Sequence, residues 1–317
     1  MDEAPAAGPP GAPRLASFPA AVLHALRCPV CGGPLGATAG GLRCGHGHTF
    51  DRARQGHVSL RRGGPTPRSA DTAAMVAARA ELLGSGVYAP VRDALAAAVV
   101  DAVDAARPAG PGAGSGGAGD DRETLVADLA GGTGWYLGGV LDRLPDALGV
   151  CVELSTPALR RAARAHPRAV AVGADLRERW PLADGSVAVV TSVFGPRDAA
   201  ETARVLAIGG ALVVVTPRPE HLGELVDALG MVAVDAAKDE RLARSLPGFT
   251  RTTAHDVTEH VLLDRRLARA AAAMGPSAHH TSEAELDARV ARLAGTTTVT
   301  LAVTVSTWSP PGTTPRA

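Results

Sequence analysis

Three of the four cysteines fall in one short stretch, Cys28-Pro-Val-Cys31-Gly-Gly followed by Cys44-Gly-His-Gly-His48. The spacing is C-x2-C-x12-C-x3-H. A close pair on a turn, then a second close pair about a dozen residues on, is what a tetrahedral four-ligand Zn2+ site requires. Gly32 and Gly33 permit the tight turn after the first pair. His46 competes with His48 for the fourth position, and His48 is preferred. A closed Cys3His site has no open coordination position, so the metal is structural and not catalytic. Three thiolates leave the centre at a formal charge of about −1, so the arginines around it are not needed to offset a large charge. From Arg27 to Arg68 there are seven arginines against one acid, Asp51. Arg52, Arg54, Arg61 and Arg62 follow the ligands closely, where they could grip phosphates. The plainer reading is a solvated basic face.

A second constellation begins at Val126-Ala-Asp128-Leu-Ala130-Gly131-Gly132-Thr-Gly134. Its glycines let backbone approach a ligand closely, and the helix it opens offers free N–H groups to an anion. Alone, such a loop could equally belong to a dinucleotide enzyme. Two acids narrow the choice. Glu153 ends the next apolar run, about 20 residues beyond the loop, where an acid accepts from ribose hydroxyls. Asp175 follows the third run and can accept from an adenine amino group. Together Asp128, Ala130, Gly131, Gly132, Gly134, Glu153, Asp175 and Leu176 resemble the S-adenosylmethionine site of a class I methyltransferase. Each acid also has an ordinary structural role open to it: a strand-end turn for Asp128, a cap before Ser155 for Glu153, a turn or N-cap for Asp175. Cys151, in an apolar run, reads as core.

These groups need elements to position them. After residue 122 apolar runs alternate with helical ones, which implies a parallel sheet with helices on both faces. Strands are expected over 125–129, 148–152, 169–172, 187–191 and 211–215, with closing strands over 257–263 and 299–305. Helices should follow the glycine loop to about 144, and lie over 157–166, 198–206 and 221–229. Upstream, 72–83 and 90–106 read as helices, with Gly84 and Gly86 as stop signals between them. The expected architecture is α/β, a class I methyltransferase Rossmann-like sheet with a small N-terminal zinc-binding module. Its parts are a tail (1–20), the zinc module (21–64), a helical connector (65–106), a Gly-rich linker (107–121), the catalytic domain (122–308) and a second tail (309–317). So small a zinc segment lacks a core of its own, so metal loss is expected to unfold mainly 21–64.

Composition sets limits. The 317 residues are 46% apolar, enough for a full core, and carry zero formal net charge. Arginine supplies nearly all the positive charge, since Lys238 is the only lysine. No secretory signal and no apolar run long enough to span a membrane is evident, which points to the cytoplasm. Few cysteines in such a chain argue for metal or core roles rather than disulfides.

The chain resembles the bacterial 23S rRNA (guanine-N1)-methyltransferases, and within them the branch associated with tylosin resistance. The resemblance covers about 21–308. It is carried by the zinc knuckle, His48-Thr-Phe-Asp51, Arg54-Gln-Gly-His-Val-Ser-Leu60, Ala70-Asp-Thr, Met75-Val-Ala-Ala-Arg79 and the glycine loop. Further along it rests on Arg160-Arg-Ala-Ala-Arg-Ala-His-Pro167, Val193-Phe-Gly-Pro-Arg197, Thr216-Pro-Arg-Pro-Glu-His-Leu222 and Met274-Gly-Pro-Ser277. It implies a 23S rRNA substrate held between zinc module and catalytic domain, and a homodimer. This chain departs from the family's usual residues at Glu153 (Asp), His57 (Tyr), Ser59 (Asn), Ser192 (Asn) and Gly195 (Ala).

The implied reaction is in-line methyl transfer to guanine N1, in a hairpin near the peptide exit tunnel. It needs positioning and a dry site rather than a covalent intermediate. The loop after the fourth strand should wall the base pocket, with Phe194 as stacking surface. Asp198 is a candidate base with helix capping as its ordinary role. Two rivals stand beside this reading. A small-molecule methyltransferase would have no RNA affinity, and a non-catalytic RNA-binding protein would bind S-adenosylmethionine weakly.

Overall fold

A computed structural model describes residues 18–64, 67, 70–107, 123–275 and 281–312. Residues 108–121 of the expected linker, Arg122, most of both tails, Arg68, Pro276 and Ser277 lie outside the described residues.

The chain opens with helix α1 (Ala20–Ala25) and three short antiparallel strands, β1 (Leu35–Thr38), β2 (Gly41–Cys44) and β3 (Thr49–Asp51). Strand β4 (Val58–Ser59) then leaves this ribbon and pairs in parallel with β7 (Ala169–Gly173) of the main sheet. Helices α2 (Ala73–Gly84) and α3 (Ala89–Ala106) follow. Thr72 caps α2 by accepting the Met75 N–H at 3.2 Å, and Pro90 sits in the first turn of α3, where its missing N–H costs nothing.

The main sheet is built from β5 (Thr124–Leu129), β6 (Ala147–Glu153), β7, β8 (Val187–Val193) and β9 (Leu206–Pro217), all parallel, with β11 (Thr296–Ser309) antiparallel to β9 and β10 (Thr250–Asp264) antiparallel to β11, so that β11 alone runs against the rest. Every residue of β6 is buried, as expected of a parallel strand covered on both faces. The order is β10-β11-β9-β8-β5-β6-β7-β4. The chain runs outward from β5 to β7, then crosses back to β8 on the other side of β5. The carboxyl ends of β5 and β8 therefore border a topological switch point, where open α/β sheets leave a crevice for ligands. With its antiparallel β11 between β9 and β10, this is the class I methyltransferase order.

One face of the sheet is covered by α2, α3, α4 (Trp135–Arg143), α5 (Thr156–Ala162), α7 (Gly223–Leu229), α9 (Arg265–Ala273) and α10 (Glu283–Val290). The other is covered by α6 (Ala199–Val205), α8 (Lys238–Arg244) and, unexpectedly, the N-terminal ribbon. Val22, Leu26, Leu42, Val58 and Leu60 share one buried cluster with Val150, Val172, Trp180 and Leu182. The ribbon is thus not a self-contained bead: its apolar side is completed by the sheet, as its small size demands. Metal loss should therefore reach further than residues 21–64. Among the described residues no helix is long and apolar enough to cross a membrane.

Candidate active site and metal centre

Cys28 and Cys31 lie on the turn before β1, Cys44 ends β2, and His48 precedes β3. Their four ligand atoms all fall within 4.8 Å of one another. Cys44 Sγ is 3.8 Å from Cys31 Sγ, and His48 Nδ1 is 3.2 Å from Cys44 Sγ and 3.6 Å from Cys28 Sγ. The edge of a tetrahedron with Zn–S bonds near 2.3 Å is about 3.8 Å, slightly less when the ligand is nitrogen, so the donor set fits Zn2+. His48, not His46, completes the group.

The second site is a cavity of about 870 Å³ at the switch point. Asp128, Ala130, Gly131, Gly132, Glu153, Asp175, Leu176 and Phe194 line it; Gly134 caps α4 behind the loop in the left-handed region. The loop backbone is unusual, with positive φ at Ala130 (51°) and Gly132 (56°). Gly131 lies directly over Asp128 and Cys151. A Cβ there would stand 2.5 Å from Asp128 Oδ2 and 2.7 Å from Cys151 Sγ.

The acids do more than face a ligand. Thr191 Oγ1 donates to Asp128 Oδ1 at 2.8 Å, while Oδ2 is buried without a hydrogen-bond partner. Burial, reinforced by the Glu153 charge and opposed by Thr191, raises the Asp128 pKa to about 7. Glu153 accepts the Gly132 N–H at 2.9 Å and the Leu154 and Ser155 N–H groups at 2.7 Å each. It shapes the glycine loop and the start of α5 as well as facing the cavity. Burial raises its pKa, against the pull of those backbone donors. Asp175 receives Arg177 through both oxygens, at 3.0 and 2.6 Å, and this guanidinium holds its carboxyl below the usual range. An adenine amino group would share Asp175 with Arg177. The Arg61 charge also acts on Asp175.

Across the cavity, Phe194 takes φ 55° and is 41% exposed. Its loop is folded by Ser192 Oγ reaching the Pro196 carbonyl at 3.4 Å and Arg197 donating to the Gly195 carbonyl at 3.0 Å. A Cβ on Gly195 would lie 3.2 Å from Ala130 Cβ, so glycine lets the two loops meet closely. Asp198 does not line the cavity; it caps α6 by accepting the Glu201 N–H at 2.9 Å.

Sequence reasoning assigned no role to several residues that the fold brings here. His221 packs 5.7 Å from the Phe194 ring and pairs with the Tyr88 hydroxyl at 3.1 Å. Its Nδ1 accepts the Ala302 N–H at 3.1 Å, so the neutral ring carries its proton on Nε2. Burial lowers the His221 pKa to about 4. Asp71, Arg79, Tyr88 and Tyr136 also line the cavity. Asp71, Arg79 and His221 sit in stretches that carried the family resemblance, but no spacing rule could link Tyr88 to a histidine 133 residues away.

Of the four arginines expected at RNA, Arg54 and Arg62 are exposed and Arg52 and Arg61 half-buried. Arg52 donates to the Gly56 carbonyl at 3.1 Å and lies over the Phe18 ring. Arg62 donates to the Pro29 carbonyl at 2.7 Å.

Strand order, a glycine loop at the switch point and acids at the ends of β5 and β6 and after β7 define a class I methyltransferase whose cavity fits S-adenosylmethionine. The chain belongs to the 23S rRNA (guanine-N1)-methyltransferase family. It is 49% identical over 294 residues to a Micromonospora griseorubida protein named as a candidate 23S rRNA (guanine-N(1)-)-methyltransferase, covering 91% of this chain and 98% of that one. It is 46% identical over 290 residues to the 23S rRNA (guanine(748)-N(1))-methyltransferase of Streptomyces fradiae, with the same coverage. A family profile described as "RlmA, N-terminal" matches residues 26–61.

Proposed function

We propose that this protein transfers the methyl group of S-adenosylmethionine to N1 of a guanine in a 23S rRNA hairpin bordering the peptide exit tunnel, in the bacterial cytoplasm. The observation that carries the reading is near-full-length similarity to relatives named for that reaction, in a chain whose cavity joins an acid-lined glycine loop to an aromatic wall. Bound S-adenosylmethionine supplies an electrophilic methyl on a sulfonium. The protein's own contribution is positional. Phe194 offers its ring to a flipped-out base. His221, neutral at pH 7, keeps that wall uncharged, which suits a neutral guanine. As the N1–C bond forms, the sulfonium S–CH3 bond breaks and leaves S-adenosylhomocysteine, and the N1 proton is lost to solvent water. Asp198 serves in this reading to hold the 194–197 loop through its cap on α6.

The test is 23S rRNA incubated with the zinc-loaded enzyme and labelled S-adenosylmethionine, read by primer extension and mass spectrometry. A 1-methylguanine at one hairpin position is expected. Label at a pyrimidine, on ribose, or only in small molecules overturns the assignment. By the same reading the protein raises tolerance to tylosin-type macrolides in a susceptible host and assembles as a homodimer, the latter measurable by light scattering.

RNA affinity should fall steeply with salt, because binding at phosphates releases counterions. Arg54→Ala with Arg62→Ala is expected to flatten the log–log salt slope by roughly one to two units and to leave cofactor affinity unchanged. Arg61 is a poorer probe, since its charge reaches Asp175 at the cofactor cavity. An unchanged slope in the double variant would move the RNA surface elsewhere.

A further inference from the structure

Arg79 and Asp71 come from outside the catalytic sheet, yet both line the cofactor cavity. They form an ion pair through Arg79 Nη1 and Asp71 Oδ2, with side chains only 25% and 21% exposed. Arg79 Nη2 donates to the Met274 carbonyl at 2.9 Å. The guanidinium lies against the glycine loop: a Cβ on Gly132 would stand 3.5 Å from Arg79 Nη1. Asp71 is fixed by Ser155, whose Oγ donates to its backbone carbonyl at 2.7 Å, and its charge reaches Glu153. A pair of opposite charges therefore stands beside both the acid placed for a ribose and the loop placed for the rest of the cofactor. Nearby lining residues Leu83, Tyr88 and Tyr136 are uncharged.

The amino-acid tail of S-adenosylmethionine carries a carboxylate and an ammonium on one carbon. Burying both is costly unless each meets an opposite charge, and a planar guanidinium is well shaped for a carboxylate. We propose that Arg79 and Asp71 form the receptor for this zwitterion. Arg79 donates to the carboxylate, and Asp71 Oδ1, which the internal ion pair leaves over, accepts from the ammonium. The connector helix α2 thereby supplies the amino-acid half of the cofactor site, while the sheet supplies the nucleoside half. The inference rests on reading the cavity as the S-adenosylmethionine site.

Two ligands separate the halves. S-adenosylhomocysteine has the amino-acid tail; 5′-methylthioadenosine keeps adenine, ribose and thioether but lacks it. Calorimetry on the full-length, zinc-loaded protein should show the first binding at least about 10-fold tighter than the second, the scale of one charge-assisted hydrogen bond. Arg79→Ala is expected to weaken S-adenosylhomocysteine by about 10- to 100-fold and to leave 5′-methylthioadenosine within about twofold. Asp71→Asn should act in the same direction. Melting curves and zinc content check the fold, and Arg79→Gln gives the same readout if the alanine variant is unstable. Equal weakening of both ligands would mean that the pair only ties α2 to Met274, and unchanged affinity for both would mean that it touches neither; either result overturns the proposal. If the wild-type protein binds neither ligand, the cofactor reading itself fails.

Discussion

Gly131→Val is expected to remove measurable S-adenosylmethionine binding while Gly132→Ala only weakens it. At Gly131 the first side-chain carbon would already stand 2.5 Å from Asp128 Oδ2 and 2.7 Å from Cys151 Sγ. Both groups are buried on sheet strands and cannot move aside. The loop must rise instead. That breaks the Gly132 N–H bond to Glu153 and misplaces the backbone facing the cofactor. The displaced loop and the Glu153 it frees are each expected to lose one charge-assisted hydrogen bond to the cofactor, worth about 1.5–3 kcal/mol apiece, which lowers affinity by two orders of magnitude or more. Gly132 differs in kind. Its problem is φ 56°, which costs an alanine about 1–2 kcal/mol, and the nearest atom to its added Cβ is in the Arg79 side chain at 3.5 Å. Calorimetry with S-adenosylhomocysteine and a melting curve for each variant separate the two effects. A Gly131→Val protein that binds like wild type would mean that the cofactor lies elsewhere.

Cys44→Ser should cost the protein its zinc and destabilise the catalytic sheet along with the ribbon. Metal binding and folding are one process in so small a unit. Here the unit's apolar side, with Leu26, Leu42, Val58 and Leu60, packs into the cluster that covers Val150 and Val172. Loss of the ribbon also frees β4 from the edge of β7. A global loss of at least about 3 kcal/mol, seen as a fall in Tm of about 6–12 °C, is the expected scale. His46→Ala should keep the metal and the Tm. Elemental analysis and calorimetric melting check both. Full zinc content in Cys44→Ser, or an unchanged catalytic-domain melt after zinc is gone, would contradict this picture.

The sequence by itself determined the local chemistry. Cys28, Cys31, Cys44 and His48 were legible because a zinc site is a matter of residue type and short spacing, and the ribbon that closes it spans only some twenty residues. The glycine loop and Glu153 were legible for the same reason: a strand, a turn and the next strand form one local unit, and β6 carries its acid to the loop by parallel pairing with β5. Seven main-sheet strands were visible as Val- and Ala-rich runs. Helix α8 was not, because its seven residues carry too few apolar positions to show a face.

Only the tertiary structure decided which distant segments complete the site and where the hydrogen bonds of each acid go. Glu153 gives both oxygens to backbone donors, Asp175 is engaged by Arg177, and Asp198 caps a helix at the surface. Those outcomes depend on competition between neighbours at ångström distances, which residue type alone does not encode. Tyr88 meets His221, and Arg79 meets Gly132 and Met274, because α2 and α3 pack on one face of the sheet and bring these side chains to the cavity at the switch point. The ribbon joins the opposite face because its own surface is too small to bury its leucines and valines. Periodicity marks those residues as apolar, but only the packed chain determines what they are buried against.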